Sequence, residues 1–178
     1  PWESADQSSS LLDLASNDYL GLSRNQKVID AAKRAMVAHG VGAGASPLVT
    51  GTRPVHKELE SYLATWMGRE SILLFPSGFQ ANIAAVIALA DRNSTVFADR
   101  LIHHSLLVGI QASGAKLKRF KHNNLQDLES KLKAYQPKQD GENPLVITES
   151  LFSMEGTSPN FKEMVRICRK YDANLLVD

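Results

Sequence analysis

From residue 71 to residue 178 the chain alternates short apolar runs with amphipathic stretches, and this alternation constrains its fold more than any other feature. The apolar runs are SILLF (71–75), TVFAD (95–99), KLKRF (116–120), LVITE (145–149) and NLLVD (174–178), each of strand length. The stretches between them, Gly78–Ala90, His104–Ser113, Leu125–Tyr135 and Phe161–Tyr171, carry helical periodicity. Strands that pair in parallel need a crossover of a dozen or more residues, usually a helix. The pattern therefore predicts an α/β fold, a mainly parallel sheet with helices on both faces. KLKRF is the most polar of the five runs and so the least like a buried strand.

Upstream of this alternation the organisation differs. Val28, Ile29, Ala31, Ala32, Ala35 and Met36 recur at helical spacing, which predicts a helix over Gln26–His39 that Gly40 stops. Pro54 opens a second helix running to Met67, with Leu59, Leu63 and Trp66 on one face. Between the two, GVGAGASPLVTGT is rich in glycine and small residues and reads as a loop. PKQDGENP reads as a surface turn, and PWESADQSSS as a solvated lead-in without the basic and apolar regions of a targeting peptide.

The 178 residues hold 20 basic against 19 acidic side chains, a balance that argues against a nucleic-acid or membrane-surface protein recruited by bulk charge. The longest apolar run, Ala81–Ala90, is half the length needed to cross a bilayer, so no membrane span is expected. The single cysteine, Cys168, lies in an amphipathic stretch and reads as a buried thiol. The absence of a disulfide framework fits a reducing, cytoplasmic setting.

Sheets of this kind bind ligands at the carboxyl ends of their strands, where the chain turns into the next helix. SILLF exits into PSGFQAN, which sets Ser77 and Gly78 at a strand-to-helix turn where free N–H groups and the helix dipole converge on one point. That is an anion site by geometry, although a serine cap followed by a close-packed glycine has the same appearance. TVFAD exits into RLIHHS, and His103 and His104, being adjacent, point in different directions. No second ligand stands at metal-binding spacing from them; local hydrogen bonds or stacking on an aromatic ligand are the open uses. LVITE exits into a loop with Glu149, Ser153 and Glu155, a polar turn or a source of acceptors and a hydroxyl. Asp178 follows the last run, and a carboxylate at the end of a buried parallel strand is costly without a cationic partner. Asn17, Asp18 and Tyr19 precede Gly21 in a turn-like run.

Eight segments in one order, SNDYLGLS (16–23), GAGASPLVTGT (42–52), HKELE (56–60), LLFPSGFQAN (73–82), DRLIHHS (99–105), KHNN (121–124), TESLFSMEG (148–156) and LLVD (175–178), resemble the α-oxoamine synthases. These are pyridoxal 5'-phosphate (PLP) enzymes of fold type I that condense an amino acid with an acyl thioester and release carbon dioxide. The resemblance implies PLP as cofactor, an acyltransferase activity and a homodimer with active sites at the interface. SNDYLGLS with SGFQAN points to the branch that joins L-alanine to a pimeloyl thioester of coenzyme A or an acyl carrier protein in biotin biosynthesis. The glycine-using branch, of glycine C-acetyltransferase and aminolevulinate synthase type, is the nearest competitor. A non-catalytic module that keeps the phosphate pocket and a nucleotide-binding α/β domain are the rivals from other classes.

The resemblance also implies roles. Ser77, Gly78 and Phe79 would hold the cofactor phosphate, His103 would stack on the pyridine ring and border the substrate, and Ser153 would bond the ring hydroxyl. Asp178 would pair with the pyridine nitrogen, Glu149 would support, Asn17 would lie by the substrate carboxylate, and His104 would be a bystander. Residues 1–40 would form an N-terminal segment with the first helix, and 41–178 an incomplete large PLP-binding domain. In the family a histidine follows this aspartate by three residues and the Schiff-base lysine lies further on. The resemblance thus reads the chain as the N-terminal part of a longer enzyme, inactive by itself.

Overall fold

A computed structural model describes residues 15–137 and 143–178. The lead-in PWESADQSSS and most of the turn PKQDGENP fall outside the described residues. The chain divides into two compact units, the first reaching Thr65 and the second covering Trp66–Asp178.

The first unit contains helices α1 (Gln26–His39) and α2 (Pro54–Trp66). The Asn25 side chain caps α1 by accepting from the Lys27 N–H, and Gly40, at φ 74°, ends it. Between the helices the expected loop contains one π turn, Pro47–Gly51. Its geometry depends on glycine, because a Cβ on Gly51 would stand 2.0 Å from the Ala45 carbonyl oxygen. With no side chain to exclude it, the Gly51 N–H closes on Ser46 O at 2.9 Å. The glycine that marked this stretch as a loop is what permits the helical turn.

In the second unit a four-stranded parallel sheet has the order β2-β1-β3-β4, with β1 Thr95–Asp99, β2 Lys116–Phe120, β3 Leu145–Thr148 and β4 Asn174–Val177. Helix α3 (Gly78–Leu89) precedes β1, and the crossover helices are α4 (His104–Ser113), α5 (Leu125–Lys133) and α6 (Phe161–Lys170). The expected strand SILLF is not one: 71–75 join no ladder, because a strand needs a partner and none of the four described strands lies against them. Central strands β1 and β3 are buried throughout, while β2 and β4 are only partly covered.

Side chains alternate across the sheet, so each central strand feeds two cores. Val96, Ala98, Leu145 and Ile147 pack with Val86, Leu106 and Ile110 of α3 and α4. Phe97 and Val146 pack on the other face with Leu128, Met164 and Ile167 of α5 and α6. Full burial of each large apolar side chain is worth about 1.5–3 kcal/mol, so these two layers dominate the stability of the unit. Cys168 belongs to the second core, and burial pushes its thiol up to about 11, away from reactivity.

Helices α3 and α4 approach closely at Gly109, which is buried against Val86 and Ile83. A Cβ there would meet Val86 Cβ at 2.9 Å and Ile83 Cα at 3.2 Å, atoms too near the backbone to swing aside. Gly109→Ala is therefore expected to lower the unfolding free energy by about 1–3 kcal/mol, read from urea denaturation of the full-length protein. An unchanged midpoint would mean that the two helices separate without cost.

Candidate active site

The parallel sheet delivers its strand ends to one edge, and there the polar residues meet on the α3/α4 side. Asp178 follows β4 in the same alternation as Leu176, which packs on the α3/α4 core. Its Oδ2 accepts a 2.7 Å hydrogen bond from Nδ2 of Asn82, one turn into α3. The same amide donates to the Ser105 hydroxyl at 3.0 Å. Ser105, fully buried in α4, lies 2.6 Å from His103 Nδ1, and its backbone N–H donates to that nitrogen at 3.2 Å.

Donor counting gives this array a direction. A carboxylate only accepts, so the Asn82 amide spends one hydrogen on Asp178 and the other on Ser105. Nδ1 of His103 already accepts the Ser105 N–H, so the Ser105 hydroxyl donates to it and the imidazole proton sits on Nε2. The chain Asp178–Asn82–Ser105–His103 thus ties the two nominated catalytic groups together over three elements, β4, α3 and α4.

Glu149, directly after β3, completes the cluster. Its carboxylate accepts from the His103 backbone N–H, and the residue is buried. Burial raises its pKa above the usual carboxylate range, the His103 N–H opposes that, and the nearby Asp178 charge adds to it. His104 is exposed and takes no part in these contacts. The Phe79 ring stands edge-on to His103, with centroids 6.4 Å apart and planes at 83°.

The α3 N-terminus supplies the anion-binding geometry. Ser77 Oγ accepts from the Gln80 N–H at 3.2 Å, which leaves the Gly78 and Phe79 N–H groups as first-turn donors. A Cβ on Gly78 would meet nothing within 4 Å, so the helix start is open on that side. Ser153 lies in the turn between Phe152 and Thr157, which is closed by a 2.9 Å bond from Phe152 N to Thr157 O. That turn adjoins Asp178, whose backbone oxygen accepts from Ser150 N at 2.6 Å. Asn17 belongs to the first unit, where Asp18 beside it accepts from the Ser23 hydroxyl. Also in that unit, a cleft of about 260 Å³ lined by His39, Arg53 and His56 holds none of the nominated residues.

Asn82 and Ser105 were not nominated from sequence, yet each left a signal. Asn82 is the polar exception in the apolar stretch ANIAAVIAL and stands one turn beyond Gly78. Ser105 opens the equally apolar SLLVGI.

Solved structures share this fold. Over 90% of this chain and 40% of its own, a serine palmitoyltransferase from S. paucimobilis with a bound PLP–myriocin aldimine superposes at a TM-score of 0.85 and 32% identity. The putative 8-amino-7-oxononanoate synthase of Geobacillus kaustophilus is 42% identical over 168 residues, 94% of this chain and 42% of that protein. The 8-amino-7-oxononanoate synthase of Photobacterium profundum is 42% identical over 172 residues, 97% and 44% of the two chains. The fold is the parallel α/β fold of such enzymes, with polar residues gathered at the strand exits. The aminotransferase class I and II model matches residues 9–178, and the chain belongs to that family. It spans 42–44% of the length of the two curated relatives.

The raised pKa of Glu149 sets a pH dependence. Because its folded value lies above its unfolded one, the folded state holds the proton longer, and stability falls as pH rises through the folded value. Glu149→Gln keeps an oxygen for the His103 N–H and removes the titration. Urea midpoints of the full-length protein from pH 5 to pH 8 are expected to fall more in the wild type than in the variant; equal slopes would overturn the assignment.

Proposed function

We propose that this chain is the cofactor-holding part of an α-oxoamine synthase that condenses L-alanine with a pimeloyl thioester to 8-amino-7-oxononanoate, a step of biotin synthesis. The observation that carries the reading is the Asp178–Asn82–Ser105–His103 chain set beside the α3 N-terminus. The names of the 42%-identical relatives support the alanine branch over the serine-using one, whose solved member is 32% identical.

The residues fit PLP by the chemistry of their donors and acceptors. The Gly78 and Phe79 N–H groups, with Ser77, suit a phosphate, and the Ser153 hydroxyl suits the ring hydroxyl. Asp178 keeps an oxygen, Oδ1, beyond the one that Asn82 holds, and a carboxylate oxygen suits the pyridine N–H. When bound, PLP supplies an electron sink for the pair left at the amino-acid α-carbon.

The chain's own part is to place and to hold. Asn82 holds one carboxylate oxygen of Asp178, which leaves Oδ1 for another donor. Ser105 anchors His103 at Nδ1, which sets the ring plane and leaves the Nε2–H for the substrate side. Glu149 holds the His103 backbone. Asn17 is assigned to the substrate carboxylate, and no lysine of this sequence is assigned to imine formation. The protein is read as a homodimer whose 42–52 loop serves the neighbouring site, in keeping with Leu48 and Val49, 95% and 74% exposed.

Full-length protein supplied with alanine or glycine, each with pimeloyl or acetyl thioester on coenzyme A or an acyl carrier protein, is expected to favour alanine with pimeloyl. A preference for glycine with acetyl would overturn the substrate choice. Asp178→Asn is expected to lower kcat about a hundredfold or more, the scale of losing a charge-stabilising partner. Asn82→Ala is expected to cost about tenfold, the worth of a hydrogen bond to a charged group; a wild-type rate in Asn82→Ala would sink the positioning role.

A further inference from the structure

Among the described residues the Asp99 carboxylate is the most deeply buried ionisable group of the second unit, and nothing in the proposed reaction uses it. It ends β1 with no exposed surface, on the α5/α6 side set by Phe97 two residues earlier. Oδ1 accepts from Leu101 N at 2.9 Å and from His122 Nδ1 at 3.0 Å, and Oδ2 accepts from Asn123 N at 2.8 Å. The bond to a carboxylate places the Nδ1 proton on His122 and turns Nε2 away from it. Nε2 lies 2.8 Å from the Thr157 hydroxyl and 3.3 Å from Asn123 Nδ2. The His122 ring also stands edge-on to Phe152, with centroids 4.5 Å apart.

These contacts converge on one short segment. Phe152 and Thr157 are the two ends of the turn that carries Ser153, and both are held by His122. The turn is otherwise exposed at Ser153, Met154, Glu155 and Gly156, with Gly156 at φ 65°. Left to itself such a polar turn samples several conformations. His122 is itself fixed by a left-handed Asn123, at φ 51°, whose N–H is spent on Asp99. The buried carboxylate thus reaches through one imidazole to an exposed hydroxyl. Stability alone does not require that reach, since a buried ion-bonded group is often no better than an apolar one.

We propose that Asp99, His122 and Thr157 form a positioning relay that sets the Phe152–Thr157 turn, and with it the Ser153 hydroxyl, for the cofactor ring. The proposal rests on the assignment of Ser153 to PLP. None of the three is a catalytic residue, because they act through the turn. The relay joins the exits of β1, β2 and β3, so the three strand ends are held in one geometry before any ligand arrives.

The test uses the full-length protein with three variants. Thr157→Val keeps the shape and removes the hydroxyl, Thr157→Ser keeps the hydroxyl, and His122→Asn keeps a donor for Asp99 but does not reach Thr157. Two readouts are taken: PLP dissociation constants, and amide exchange at Phe152 and Gly156 in the apoprotein. Thr157→Val and His122→Asn are expected to weaken PLP binding about fivefold, the scale of one lost hydrogen bond, and to speed exchange in the turn. Thr157→Ser is expected to stay within about twofold of the wild type, which a role in bulk packing of the Thr157 methyl would not produce. Wild-type affinity and exchange in Thr157→Val would overturn the relay alone. A wild-type protein that takes up no PLP would overturn the cofactor reading, and the relay's purpose with it.

Discussion

The parallel ladder is the constraint from which the rest of the second unit follows. Parallel neighbours cannot be joined by a tight turn, so a crossover helix lies between each strand and the next, and all carboxyl ends collect at one edge. With β1 and β3 central and buried on both faces, polar groups can appear only where the strands stop. Asp99, Glu149 and Asp178 are the residues at or just after those stops, and each is met by donors from a different element.

The two faces of the sheet use their terminal carboxylates differently. On the α3/α4 face Asp178 is exposed and held by a single side-chain amide at Oδ2, an arrangement that leaves Oδ1 able to take another donor. On the α5/α6 face Asp99 is enclosed, with backbone N–H groups and an imidazole occupying both oxygens. An enclosed carboxylate is suited to fixing geometry, and a half-committed one to meeting a ligand. Alternation along a strand separates the two roles without any change in residue type.

Much of this was legible from the sequence. Among the described residues, the four strands that formed and all six α-helices follow from periodicity and capping signals, with ends shifted by at most two residues. The most polar run, KLKRF, is a strand at the sheet's edge, where its lysines and arginine reach water. SILLF failed because apolar character is necessary for a strand but pairing is what makes one. The π turn at Pro47–Gly51 was hidden since glycine and small residues signal freedom, and only close packing of backbone on backbone turns that freedom into a helical turn. At the site, residues just after strand ends were readable, whereas the partners of Asn82 and His122 were not, because they are distant in sequence: Asn82 and Asp178 are 96 positions apart.

The sequence by itself determined the order of elements, the identity of the strand exits and the buried, unreactive setting of Cys168, because these depend on local periodicity and on which residues water rejects. The tertiary structure decided which side-chain amide holds Asp178 and which hydroxyl His122 reaches. Those outcomes depend on hydrogen-bond partners that only the crossing of the chain brings within 3 Å, and no local pattern records them.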